Sequence, residues 1–274
     1  MNTLLVPTDF SIVADNALQY AIDMAHHYHL EITLYHVVQF TPPNLSHVVY
    51  VDDTPQMTQD ATLKLNEKKE KLQADYPQVP FHVRVDTGFL IESLKSVCDE
   101  IQPVAVVMGL TGSGTVMDQL VGSNAFLAMQ NLHQPLFIIP KDAKFIPVER
   151  ICFASDLRNV NQTTPSVAIR VFSKLFNAKL NILNVDKLKR ASDPDALREL
   201  EQLKEMFSDI DYEFHFMEHE NFQEALQQFI HDKDMQMVIL LPKKYSWFES
   251  LFHKSQTKVM AYHSHVPLLA LHMA

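Results

Sequence analysis

LLVPTDFS (residues 4–11) and ICFASDLR (residues 151–158) are two versions of one phrase: an apolar run ending in a small polar residue and an aspartate. Asp156 follows Asp9 by 147 positions. Working outward, ITLYHVV (32–38) and LNILNVD (180–186) align at a spacing of 148, and HQPLFIIP (133–140) and HVPLLALH (265–272) align through Pro135 and Pro267 at 132. The chain is therefore a tandem repeat. Its second copy is shorter by about 15 residues, lost between the second and third apolar runs, and a repeat of this kind governs every later assignment.

Within each copy short apolar runs alternate with longer amphipathic stretches, the pattern of a parallel sheet with crossover helices. Strands are expected near residues 2–7, 31–38, 80–86, 104–109 and 135–140, and again near 150–155, 180–185, 212–217, 236–241 and 267–271. Ser11 or Asp15 is placed to open the first helix, Thr54-Pro55 to open the second as N-cap and N1, and Gly88 to turn the chain before the third. Periodicity fails across KDAKFIPV (141–148). The expected units are thus 1–143 and 148–274.

A length of 274 residues suits two domains. Hydrophobic residues at 47% and charged residues at 20% fit a soluble globular chain. No apolar run reaches the roughly 18 residues of a membrane span, and the start MNTLLVPTDF lacks a basic n-region. A cytoplasmic protein that does not bind membranes is expected. A net charge of −10 argues against nucleic acid as partner. Residues 1–147 carry 8 Lys and Arg against 16 Asp and Glu, so an anion bound there cannot rely on a basic field. Cys98 and Cys152 stand far apart and read as buried thiols.

All five glycines lie in the first copy: Gly88, Gly109, Gly112, Gly114 and Gly122. Four of them fall in MGLTGSGTVMDQLVGSNA (108–125), after the fourth strand and before an apolar helix, where an open α/β sheet places its ligand crevice. Glycine lets backbone N–H groups approach an anion, and a helix opened at Gly122-Ser123 adds its own free N–H groups. Segment 109–125 contains no Lys or Arg. A phosphate there would be held by backbone amides alone.

The spacing Gly109, two residues, Gly112, nine residues, Gly122-Ser123, together with the opening VPTDFS (6–11), resembles the nucleotide-binding signature of the universal stress protein family. The resemblance implies two tandem five-stranded, Rossmann-like parallel sheets of order 3-2-1-4-5, joined through their last strands as an internal pseudo-dimer that can pair again as a homodimer. It implies an adenine nucleotide (ATP, ADP or AMP) as ligand. Asp9 and the backbone at Val37 would meet the adenine and ribose end, with Pro7 and Thr8 alongside. Met108, Gly109, Thr111, Gly112, Gly122, Ser123, Asn124 and Ala125 would line the ribose and phosphates. Ala125 departs from the hydroxyl residue that nucleotide-binding members often carry. Mg²⁺ is a candidate companion of the phosphates, with Asp118 as a candidate ligand.

No Gly-Lys-Ser/Thr loop occurs, and neither an arginine finger nor paired metal carboxylates are evident. No catalytic residue is assigned, and a stress-response sensor or regulator is expected. Slow ATP hydrolysis at the same site and a nucleotide-free interaction scaffold are the alternatives. In the second copy Gly109, Gly112 and Gly122 become Leu241, Lys244 and Lys254, with Ser255 opposite Ser123. A short helix bearing Trp247, Phe248, Leu251 and Phe252 is expected to cover the vacant position, with Lys243, Lys244, Lys254 and Lys258 in water. His26, His27 and His29 read as partners of the first helix's C-terminus, and His263 and His265 read likewise before the last strand. His36 reads as a packing or backbone hydrogen-bonding residue. His215 and His219, with Glu218 and Glu220, are a candidate metal group. Loop 40–54 is a candidate lid, oligomer contact or ordinary variable loop.

Overall fold

A computed structural model describes residues 2–39, 53–110, 124–186, 194–242 and 266–273. The first half runs β1 (Thr3–Pro7), α1 (Ile12–Tyr28), β2 (Glu31–Gln39), α2 (Thr54–Asp75), β3 (Phe81–Gly88), α3 (Leu90–Ile101), β4 (Ala105–Gly109), α4 (Asn124–Asn131) and β5 (Leu136–Ile139). The second runs β6 (Arg150–Ala154), α5 (Val160–Thr163), α6 (Ser166–Phe176), β7 (Lys179–Asp186), α7 (Pro194–Met206), β8 (Tyr212–Glu218), α8 (Phe222–Asp232), β9 (Met237–Leu240) and β10 (Leu268–Ala270). Every expected strand is present. None of the described helices is long and apolar enough to cross a membrane.

All ten strands join one sheet of order β3-β2-β1-β4-β5-β10-β9-β6-β7-β8. Each half has order 3-2-1-4-5 and parallel internal pairing, while β5 and β10 meet antiparallel. Across that seam Phe137 faces Leu269, with Leu136 opposite Ala270 and Ile138 opposite Leu268. Phe137 and Leu269 are also counterparts in the repeat, 132 positions apart. A local two-fold axis therefore passes between them, and the seam is isologous within a single chain.

The core follows the two faces of the sheet, each layer running through both halves. One layer joins Leu4, Ile32, Leu34 and Phe137 to Phe153, Phe172, Phe176 and Leu180; the other joins Leu5, Tyr35, Leu94 and Leu136 to Cys152, Leu183, Leu226 and Phe229. Residues 141–148, the aperiodic stretch, are fixed against α1. Val148 N donates to Tyr28 Oη at 3.0 Å, Asn16 Nδ2 donates to Pro140 O at 3.0 Å, and Phe145 packs edge-on against Tyr20 and Tyr28.

Ser11 opens α1: its hydroxyl accepts from Ala14 N at 3.2 Å in the usual N-cap geometry. Helix α2 begins at Thr54 itself, so Asp53 holds the N-cap position expected for Thr54, without a side-chain cap bond. Gly88 has φ +144°, a conformation L side chains rarely adopt, and turns the chain into α3. The shortening of the second copy lies between β7 and β8, where α7 has 13 residues against 22 in α2.

One asymmetry has a local cause. Helix α1 is continuous, but its counterpart is split into α5 and α6 at Thr164-Pro165. Thr164 is extended (φ −110°, ψ 116°), as a residue before proline prefers. The separated turn leans on α7, whose Glu199 carboxylate accepts from Val160 N at 2.7 Å.

Candidate functional site

The sheet reverses its direction of winding between β1 and β4, and a crevice opens at the carboxyl ends of their strands, where open α/β sheets bind ligands. The β1–α1 turn forms one wall. Thr8 N donates to Tyr35 O at 2.8 Å, Thr8 Oγ1 accepts from Phe10 N at 3.0 Å, and Asp9 Oδ1 accepts from Ser11 N at 3.0 Å. These two side-chain bonds hold Phe10 at φ 62°, left-handed for a non-glycine residue. From β2, His36 Nδ1 donates to Thr8 O at 2.7 Å, since a carbonyl can only accept. The Phe10 ring packs on the imidazole at 4.9 Å, and Lys64 Nζ sits 5.8 Å from the Phe10 ring centroid.

The second half builds the same turn. Ser155 N donates to Leu183 O, Ser155 Oγ accepts from Leu157 N, Asp156 Oδ1 accepts from Arg158 N, and Leu157 has φ 51°. Asn184 Nδ2 takes the place of the imidazole, donating to Ser155 O at 2.8 Å. The turn thus belongs to the fold. What differs is the opposite wall.

That wall is the end of β4. A Cβ on Gly109 would fall 2.6 Å from Val13 O and 2.7 Å from Val13 Cγ1, so α1 can lie this close to β4 only because residue 109 has no side chain. The expected reason for this glycine was approach to an anion; the contact seen is with a helix backbone. Its counterpart Leu241 is 8% exposed and shares a core layer with Val160, the counterpart of Val13. A leucine there forbids the close approach, consistent with the detachment of α5 as a separate turn.

Among the residues singled out from the sequence, Pro7, Thr8, Asp9, Val37, Met108, Gly109, Asn124 and Ala125 line one cleft. Thr111, Gly112, Gly122, Ser123 and Asp118 lie outside the described residues, as do most of loop 40–54 and the segment carrying Trp247, His263, His265 and the lysines of the second copy. Ala125 is buried and Asn124 exposed at the start of α4. Ser11, Val13, Ala14, Tyr35, His36, Gln39 and Leu90 complete the lining, which among the described residues contains no Lys or Arg. Tyr35 was not singled out, although its spacing of two from Val37 puts both on one face of β2. Its hydroxyl donates to Asp86 Oδ2 at 2.9 Å, and burial, then the Asp86 carboxylate, push its pKa up. Among the described residues the cleft offers apolar walls, one carboxylate, one imidazole and the end of a helix.

His215 and His219 of the second half have their own partners. His215 Nε2 lies 3.0 Å from Asn181 Oδ1 and its ring packs on Phe229, while His219 Nδ1 accepts from Asn221 N. Burial lowers the His215 pKa. No group of three His, Cys, Asp or Glu suited to a metal occurs among the described residues. Cys98 and Cys152 are buried, and desolvation pushes both thiols up to about 12.

The fold has relatives among solved structures. A universal stress protein from Archaeoglobus fulgidus DSM 4304 superposes with a TM-score of 0.68 at 18% identity, covering 100% of this chain and 97% of that one. A functionally unknown protein from Pseudomonas aeruginosa PAO1 superposes with a TM-score of 0.57 at 10% identity, covering 100% and 93%. At such identities the likeness is one of fold. No curated protein matches in sequence. The family model described as universal stress protein family, however, matches residues 1–140, more than half of the chain. With its 3-2-1-4-5 halves and the crevice at their switch point, this chain belongs to the universal stress protein family.

Proposed function

We propose that the cleft of the first unit (1–143) binds an adenine nucleotide, ATP, ADP or AMP, and that the protein acts as a cytoplasmic stress-response sensor or regulator. The observation that carries this reading is convergence: Pro7, Thr8, Asp9, Val37, Met108, Gly109, Asn124 and Ala125, separate in sequence, line one crevice at the switch point of the sheet. In this reading the base lies against Asp9 and the backbone at Val37. The ribose and phosphates extend past Met108 and Gly109 toward Asn124 and Ala125, with Thr111, Gly112, Gly122 and Ser123 completing the cradle and Mg²⁺ accompanying the phosphates. The second unit (148–274) keeps the turn but has Leu241 for Gly109 and serves as the partner half of the pseudo-dimer. Two such chains pairing as a homodimer belongs to the same proposal.

A lining whose described residues include no lysine or arginine favours binding over phosphoryl transfer, whose transition state needs positive charge. Calorimetry and thermal melting with ATP and with AMP test the proposal. Saturable heat and a raised melting temperature are expected; no heat and no shift at millimolar nucleotide would overturn it. Gly112→Val should abolish the heat while leaving the melting of the free protein nearly unchanged.

A further inference from the structure

Behind the cleft lies a polar network that the turn and the glycine wall do not require. Tyr35 is fully buried, lines the cleft, and stands two residues deeper along β2 than Val37 on the same face. Its hydroxyl donates to Asp86 Oδ2 and lies near the Ser93 side chain at the start of α3. Arg84 Nε donates to both Asp86 oxygens, at 3.2 and 3.0 Å, and Arg84 Nη1 donates to Glu100 Oε2 at 2.7 Å. The phenol ring is thereby fastened at its far end to β3 and α3. A ring held at both ends does not swing aside to admit a larger ligand.

The repeat supplies an internal control. Strand register pairs Tyr35 with Arg84 and Val37 with Asp86; the same register in the second half pairs Leu183 with His215 and Val185 with Met217. Matching the buried positions of α3 (Leu94, Val97, Cys98) to those of α8 (Leu226, Phe229, Ile230) puts Ala225 opposite Ser93. Tyr35, Arg84, Asp86 and Ser93 thus become Leu183, His215, Met217 and Ala225. The fold stands without the network, and the half that lacks the network is also the half that lacks the glycines. Such a pattern attaches the network to the ligand site and not to the architecture.

We infer that Tyr35 is the specificity-determining floor of the cleft, a fixed stop that admits an unsubstituted adenine and refuses one enlarged at its far edge. The inference rests on the nucleotide reading of the same cleft. A purine carries its sugar on N9, so with the phosphates toward Gly109 and Asn124 the edge bearing N6, N1 and C2 leads into the floor. Bulk on N6 then collides with the ring of Tyr35, and the Asp86 anchor, itself braced by Arg84, keeps that ring from yielding.

The test compares ATP with N6-benzyl-ATP by calorimetry on wild type and on Tyr35→Leu, the residue the second half carries at this position. Wild type is expected to bind ATP at least about 100-fold more tightly than the benzyl analogue, the scale on which a rigid pocket rejects misfitting groups. In Tyr35→Leu the ratio should shrink to within roughly 10-fold, mainly through a gain for the analogue. Equal binding of both nucleotides by wild type would overturn the inference, as would a Tyr35→Leu variant that binds ATP and keeps the wild-type ratio. If Tyr35→Leu does not fold, as judged by its melting, Tyr35→Phe decides: loss of the anchor should relax the ratio by about 3-fold or more, and an unchanged ratio would overturn the inference. Failure of wild type to bind ATP at all would instead refute the nucleotide reading.

Discussion

The carbonyl oxygen of Val13 lies 2.6 Å from where the Cβ of residue 109 would have to stand. Helix backbone cannot retreat as a flexible side chain can, so Gly109→Ala must push α1 off β4. The expected cost is about 1–3 kcal/mol of stability, the usual penalty of overpacking, together with weaker nucleotide binding. Denaturant unfolding measures the first and calorimetry the second; a variant as stable as wild type would contradict the contact.

Asp9 and Asp156 perform the same backbone task in their respective turns, each accepting from the residue two positions on. Removing either carboxylate by alanine should cost about 0.5–1.5 kcal/mol, the net worth of one such hydrogen bond. Only Asp9→Ala should also weaken ATP binding. Equal ATP affinity in the two variants would take Asp9 out of the site.

His36 is replaced in the second half by Asn184, and both donate to the carbonyl of the residue that begins the turn. The task requires an N–H at that spot and nothing peculiar to imidazole. His36→Asn is therefore expected to keep both melting temperature and nucleotide affinity close to wild type, whereas His36→Leu should lose about 1 kcal/mol and bind more weakly. If asparagine behaves as leucine does, the imidazole has a further part in the site.

The two thiols give a pH dependence whose sign follows from burial. Folded Cys98 and Cys152 hold their protons up to about 12, against an ordinary value of 9.0. Between those limits the unfolded chain ionises first and binds fewer protons, so stability is complete below about pH 9 and falls as pH rises toward 12. Native protein should resist a thiol reagent at pH 8, and both cysteines should react once it is unfolded. The alkaline decline should shrink in Cys152→Ala when measured against its own neutral stability.

The ten strands were legible because each is a short apolar or alternating run between turn signals, and the shorter second copy showed as a change in spacing from 148 to 132. Thr164-Pro165 also carried a readable signal for the break between α5 and α6, but the likeness of the two copies hid it. The arrangement of the core was not legible. A repeat suggests one core per copy, whereas pairing Phe137 with Leu269 joins the sheets and lets each face form one layer. In the site, glycine announces that something approaches the backbone at position 109 without saying whether it is a phosphate or a helix. Tyr35 escaped notice because an aromatic inside an apolar strand reads as core, and its polar partners come from residues about 50 positions away.

The seam at Phe137 and Leu269 also fixes stoichiometry. When two identical subunits meet across such a seam, dilution separates them, and their two equal sites can fill partially or influence each other. Here the partner is covalently attached and of a different character, so the pair neither dissociates nor exchanges, and its composition is the same at every protein concentration. Under the proposed function each chain then offers one nucleotide site beside a half of different character at every protein concentration, and a homodimer of chains carries two.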